Sequence, residues 1–468
     1  MLRGTHRALG VPALALLCAG VASAQAPAPT AAMTPARTVS LTLAQAIRTA
    51  LDQNPRVLQS LLAIAESGDD RRSAAAALMP SVAAQALGVR NKYNLNAQMG
   101  MTVPGFPPVV GPYNWHQAGL EAQVSLFDLS LWKKWRASQQ AELSTRAQGR
   151  AVREEVAAIV VGQYLRALRA DASVQAGESR VELAEALAKL AENQQKQGVG
   201  TKLDTLRSQV QLQTERQRLI QAQTQRSTAL AGLGRALDLE PGTRIELKDS
   251  LAAPVLPVAG FQETFQAGLS QRPEMAVLDA REKAAVNMHQ AAQSLRLPTL
   301  VATGFYGSTA LQSLPSTTTY QLSLGLRVPL FTGGLVSAQV SRAQSEQSRV
   351  QESRRDIRAQ VGYEIQVAQA ELDAASHEVE VANLAVSLST EALYQARHRF
   401  EAGVSNNIEV INAQDELAKA NDNQISALYR LNQSRADLAR ATGQLENHYS
   451  LRGDRPAASE PAAAETLR

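Results

Sequence analysis

The stretches HQAGLEAQVSLF at 116–127 and YQLSLGLRVPLF at 320–331 decide the fold. In the first, Ala118, Leu120, Ala122, Val124 and Leu126 alternate with Gln117, Gly119, Glu121, Gln123 and Ser125. In the second, Tyr320, Leu322, Leu324, Leu326, Val328 and Leu330 alternate with Gln321, Ser323, Gly325 and Arg327. Alternation with period two means a strand with one apolar and one wet face. The strands are placed at about 114–127 and 319–331, each preceded by a less regular one at 81–93 or 299–310. Each is long enough to cross a bilayer at a tilt. A half-buried hairpin in a soluble domain would show the same pattern, so the surrounding chain has to decide.

Working outward, the sequence repeats. Leu51, Pro55, Pro80 and Val82 recur as Leu269, Pro273, Pro298 and Leu300, an offset of 218. SLFDLSLW at 125–132 recurs as PLFTGGLV at 329–336, and Gly198-Val199 as Gly403-Val404, at offsets of 204 and 205. The offset shrinks because the first copy has the longer loop between its strands. A period near 200 residues signals a duplication rather than a solenoid. The predicted organisation is a first repeat at 39–240, a Pro-containing linker at 241–260 and a second repeat at 261–446.

Helices tip the balance. Residues 131–197 contain no proline, nor do 335–402, giving runs of 67 and 68 residues rich in Ala, Gln, Glu, Leu and Arg. At 1.5 Å per residue each spans on the order of 100 Å, longer than any compact globule needs. The returning helices, 202–239 and 406–446, and the helices before the strands, which stop at Pro80 and Pro298, are shorter. Two short helices laid end to end match one long one. Apolar residues follow three- and four-residue steps, yet Gln, Ser, Asn and Arg interrupt the seam. That suits a wall of helices with water on one face.

Composition excludes other classes. The 47 Lys+Arg against 43 Asp+Glu leave +4 on 468 residues, which is no nucleic-acid footprint. Aromatic residues make up 4%, too few for a large porin-type barrel with two full girdles. No apolar run of helix-spanning length is present. Arg3 and Arg7, the apolar run to Val21 and Ala22-Ser23-Ala24 read as a signal peptide over 1–24, followed by a flexible leader at 25–38. A disordered tail is expected at 447–468. The single cysteine, Cys18, falls inside the signal, so the mature chain has no thiol for disulfide or metal. The six histidines form no close metal pair, and Gly232 and Gly234 follow no strand. Neither catalytic residues nor a cofactor or metal site is expected.

Four strands per chain cannot close a barrel, and open edges are not viable in a bilayer. Copies must therefore share one: eight strands for a dimer, twelve for a trimer. The predicted fold is mainly α with β, a long α-helical barrel joined to a shared transmembrane β-barrel.

Pro55/Pro273, Pro80/Pro298, LFD at 126–128, PLFTGG at 329–334, GVGTKLDTLRSQ at 198–209 and EAGVSNNIEVINAQ at 401–414, in that order, resemble the TolC family of outer-membrane efflux channels over about residues 40–446. The resemblance implies a homotrimer with twelve strands in outer-membrane lipid and a helical barrel in the periplasm. It also implies docking to a periplasmic adaptor protein and an inner-membrane pump, with the channel a passive exit duct. A periplasmic coiled-coil scaffold or adaptor is the competing reading, although an adaptor would carry one hairpin rather than two equivalent ones.

By the same resemblance, Gly198, Val199, Gly403 and Val404 are the adaptor-docking tips. Gln197 and Ala402 stand where relatives often have valine. Carboxylates past the second tip ring the closed pore in relatives. The matching positions are Glu409 and Asn412, with Asp204 the counterpart acid in the first repeat. Converging acids would favour cations. Asp204 and Glu409 equally fit helix first-turn acids. Ser405 occupies the position of a basic partner found in some relatives, so a weaker lock is expected.

Overall fold

The computed structural model describes residues 38–450 apart from 103, 253–259, 312–314 and 406. The expected signal peptide, nearly all of the leader and the tail beyond 450 lie outside the described residues.

A common order of two helices, two strands, a long helix and a returning helix runs twice, with short elements added to each copy. First come β1 (Thr38–Leu41), α1 (Leu43–Gln53), α2 (Pro55–Ala76), β2 (Ser81–Asn94), α3 (Leu95–Met99), β3 (Val109–Phe127), α4 (Leu129–Lys196), α5 (Lys202–Ala236) and β4 (Arg244–Leu247). Then come α6 (Phe261–Gln271), α7 (Pro273–Ser294), β5 (Thr299–Leu311), β6 (Thr317–Arg327), α8 (Leu335–Glu401), α9 (Asn407–Ala441) and α10 (Leu445–Ser450). Prolines and caps set the joints. Pro55 and Pro273 occupy first helical positions, where no N–H is needed. Asn54 caps α2 through the Arg56 N–H, and Asp128 caps α4 through the Leu131 N–H.

Four strands form one antiparallel sheet in the order β2-β3-β5-β6. The register sorts its faces. Val82, Ala122, Gly304 and Leu322 share one face, as do Ala84, Leu120, Tyr306 and Tyr320. The other face carries Ser81, Gln123, Thr303 and Ser323 in one row, and Ala83, Glu121, Phe305 and Gln321 in the next. Thr303 and Ser323 are hydrogen-bonded there at 2.6 Å. The apolar face has nothing against it: Leu322 is 82% exposed and Leu324 66%. At the centre, Gly119 and Gly307 lie opposite each other under the Phe305 ring. A Cβ on either would come within 2.6 Å of the partner's Cα, so only glycine fits.

Below the sheet the helices make a slab. α4, 68 residues long, spans about 100 Å. α2 lies along its upper half, with Arg71 bonded to Glu142, and α5 along its lower half, with Arg216 bonded to Glu185. The two short helices meet mid-rod, where the Asn54 side chain donates to the Ala236 carbonyl at 3.0 Å. α7 and α9 meet in the same way beside α8, at Gln271 and Gln444. The main core sits at this equator. Ile47, Ala50, Val57, Val160, Val161, Tyr164, Leu233 and Leu237 are buried there together.

Several boundaries differ from the sequence-based expectation. Thr38, assigned to the leader, starts β1, and the linker contains β4; the two pair in parallel, from Thr38↔Arg244 to Leu41↔Leu247. Leu41 and Ile245 are thereby buried on the equatorial core, which is what orders four-residue strands too short to show a period. β3 begins at Val109 rather than 114 and passes a cis Gly111–Pro112 bond. β6 ends at Arg327 rather than 331, because Pro329 cannot donate to a ladder. α5 stops at Ala236, short of 239, with Asp238 left-handed at φ 55°. α9 stops at Ala441, short of 446, with Gly443 left-handed at φ 70°; α10 then carries helix into the stretch assigned to the tail.

Candidate functional site

The far end of the rod, opposite the sheet, holds two helical hairpin tips. α4 unwinds at Gln197 into Gly198, whose φ of +78° no side chain adopts without strain. The Val199 and Gly200 N–H groups close the turn on the Gln194 carbonyl, both at 3.0 Å. Thr201 then starts α5 by accepting the Asp204 N–H at 3.2 Å. The second tip repeats the device: Gly403 has φ +71°, and the Val404 N–H bonds to the Arg399 carbonyl at 3.0 Å. Val199 and Val404 project as the outermost apolar side chains, 76% and 71% exposed.

The expected gate residues have distinct surroundings. Asp204 is half-buried, and its carboxylate accepts the Thr201 hydroxyl at 2.5 Å, a helix-start arrangement. Glu409, in the first turn of α9, is exposed and reached across the turn by the Arg399 guanidinium at 3.3 Å. Ser405 carries no charge, and the base beside Glu409 is Arg399 of α8, one turn before the tip. Asn412 follows Glu409 by three residues and is exposed. The three therefore lie at the same end of the rod, but the hydrogen bonds that join the two tips run through a different residue. Asn407, 1% exposed, donates its side-chain amide to the Asp204 carbonyl at 3.0 Å and the Ser208 hydroxyl at 2.6 Å. Above it, Leu187, Leu393, Ala396, Phe400 and Val410 pack into an apolar cluster joining α4, α8 and α9. Asn407 and Arg399 escaped sequence reasoning. The available signal was a departure between the copies: the position matching Asn407 at the offset of 205 is Lys202.

Electrostatic perturbation sits higher up. Glu142, 8% exposed, is held by Arg146 and Arg71, each at 2.6 Å, and these bonds lower its pKa below the ordinary carboxylate value. Burial raises Glu154, although it accepts the Leu445 and Glu446 N–H groups that begin α10. Burial and then the Asp249 carboxylate raise Tyr164, whose hydroxyl donates to Asp249 at 2.8 Å. Glu154 and Tyr164 brace the equator, whereas Glu142 braces the contact of α2 with α4 above it. Among the described residues no cluster of His, Cys, Asp and Glu could hold a metal, and no helix is long and apolar enough to cross a membrane.

A long helical slab, a one-sided apolar sheet and paired tips define a channel architecture. The model of the outer membrane efflux protein family matches residues 46–238 and 265–444. The chain belongs to this family: it is an outer-membrane channel of an efflux or secretion system, placed in the outer membrane and reaching into the periplasm. Protein CyaE of Bordetella pertussis is 27% identical over 339 residues, 71% of each chain. The alkaline protease secretion protein AprF of Pseudomonas aeruginosa is 24% identical over 344 residues, covering 68% of this chain and 69% of that one. Among solved structures, the outer-membrane channel OprN superposes with a TM-score of 0.74 at 19% identity, over 86% of this chain and 90% of that one. VceC of Vibrio cholerae gives 0.72 at 17%, over 86% and 96%. At such identities these two show the fold alone.

Proposed function

We propose that three copies of the chain close into one conduit, a twelve-stranded barrel in outer-membrane lipid continued by a periplasmic helical barrel. The carrying observation is that the slab has the same two open edges at every level. In the sheet they are β2 and β6. Among the helices, α2 and α5 form one edge and α8 the other, since α4 takes the middle with α7 and α9. Both edges carry uncovered apolar stripes: Leu58, Leu61 and Leu62 on α2, Leu203, Leu206 and Val210 on α5, and Val381, Leu384 and Leu388 on α8. Unlike edges that meet head to tail generate a ring. Two copies would give eight strands, whose interior side chains fill; twelve leave a wet lumen lined by the Gln123–Thr303–Ser323 face.

In this reading the duct performs no reaction. An inner-membrane pump delivers cargo through a periplasmic adaptor that grips Gly198, Val199, Gly403 and Val404. Relatives named for alkaline protease secretion and pyoverdine export fit a conduit whose cargo is chosen by its partners. Asp204, Glu409 and Asn412 narrow the closed entrance, with Arg399 holding Glu409 until the tips part. Cross-linking in detergent should yield a trimer recovered with the outer membrane; recovery as a soluble periplasmic monomer would sink the proposal. In planar bilayers, Glu409→Gln and Asp204→Asn should lower cation selectivity about twofold, the scale expected for removing exposed ring charges. Unchanged selectivity would leave both acids as helix-start residues only.

A further inference from the structure

Between the tips and the equator, the two hairpins are joined by a charged cluster unlike the apolar contacts below it. Arg180 of α4, 16% exposed, bonds Asp422 of α9 at 2.9 Å and lies 3.5 Å from Glu215 of α5. Glu215 is 5% exposed and also takes Arg218 at 2.5 Å and Gln211 at 3.2 Å. The same Gln211 and Arg218 reach over to Asp415 of α9, at 3.2 and 3.6 Å. Asp415 and Asp422 are seven residues apart, two turns along one face of α9. Three helices from both halves of the chain are thus pinned at two heights, beside a hollow of about 280 Å³ whose lining includes Arg180, Gln211 and Glu215. The cluster stands at matching depth on both hairpins: Arg180 is 18 residues from Gly198, and Asp422 is 19 from Gly403.

Directional charge pairs and apolar contacts constrain sliding differently. The Leu187–Phe400–Val410 cluster is non-directional, and its side chains can exchange neighbours when one helix turns on another. A mostly buried arginine set between two carboxylates fixes register and rotation, because sliding α4 against α5 and α9 takes Arg180 away from both Glu215 and Asp422.

We infer that Arg180 and Arg218, with Asp415 and Asp422, form a clamp that fixes the fulcrum of gating: the rod above it is rigid, and the roughly 27 Å below it, 18 residues at 1.5 Å each, is the lever that swings at the entrance. The four are positioning residues acting on the gate from outside it. The inference rests on the tips being the gate, and its test separates the two.

Spin labels on Val199→Cys and Val404→Cys, the mature chain having no thiol of its own, report the tip separation. A second pair on Arg166→Cys and Asp373→Cys reports the rod above the clamp. Asp415→Ala combined with Asp422→Ala removes the α9 half of the clamp at part-exposed positions, leaving Glu215 with its arginines. The expected result is a wider tip distance distribution, an unchanged upper pair, and a basal conductance raised about fivefold, in keeping with the loss of two part-exposed pairs. Asp422→Glu should restore the parent values. Tip distances that do not move, or upper and lower pairs that loosen together, overturn the clamp. If the double variant does not fold, Asp422→Asn alone makes the same measurement. If the parent protein forms no channel, the gate reading fails on that result, while the label distances still decide the clamp.

Discussion

α4 and α8 occupy matching places in the two halves of the chain and are 68 and 67 residues long, yet α4 has twenty buried positions and α8 twelve. Matching residues stand 204 apart. Val160, fully buried, corresponds to Glu364; Gly177, pressed against Leu219, corresponds to Val381, 69% exposed. Glu142, held between two arginines, corresponds to Glu346, which pairs with Arg349 in the open. The difference follows from place rather than propensity. α4 is wrapped by α2, α5, α7 and α9, whereas α8 packs on α7, α9 and the short α6. Matching positions therefore differ by place: the interior helix carries small and apolar residues, and the edge helix keeps exposed apolar ones such as Val381, Leu384 and Leu388.

The sharpest way to break this comparison is to charge both helices. Val160→Asp buries an unpaired carboxylate at the equator and should cost about 3–5 kcal/mol, leaving little folded protein in the outer membrane. Val381→Asp with Leu384→Asp should leave the subunit's helicity intact by circular dichroism but weaken cross-linked trimer about a hundredfold, as for lost interface anchors. Equal damage from both variants would show that α8 is no edge. Tyr164→Phe sharpens the interior side. Its hydroxyl serves both the Leu41 carbonyl and Asp249, so removal should cost about 1–2 kcal/mol in denaturant titration. The matching α8 residue, Ala368, has no such duty. The smallest effect concerns pH. Glu142 has its pKa lowered by Arg146 and Arg71, so its contribution is complete above the ordinary value of 4.5 and fades as pH falls through the lower folded value. Thermal melts of Glu142→Gln should lose stability at pH 7 but track the parent more closely near pH 3. Glu346→Gln should leave the melts unchanged throughout.

Much of this was legible. Leu322, Leu324 and Leu326 declare a strand with one apolar face because period two is the strand's own repeat, and Pro55, Pro273, Gly198 and Gly403 mark joints by fixing or freeing φ. What stayed hidden involves distance along the chain. β1 and β4 are four residues each and pair across 206 positions, so neither shows a pattern of its own. Arg399 and Asn407 acquire meaning only once it is known which side of each tip turns toward the other. Nor could composition tell that α4 lies inside the slab and α8 at its rim, since both helices are rich in alanine and glutamine.

The unpaired outer edges of β2 and β6 carry a kinetic consequence. A solitary subunit is at home in neither phase: in water its leucine-lined face is bare, and in lipid two rows of backbone amides and carbonyls lack partners. In the proposed ring, insertion and assembly would be one event, with a rate that climbs steeply with subunit concentration and a bilayer that accepts only the finished ring.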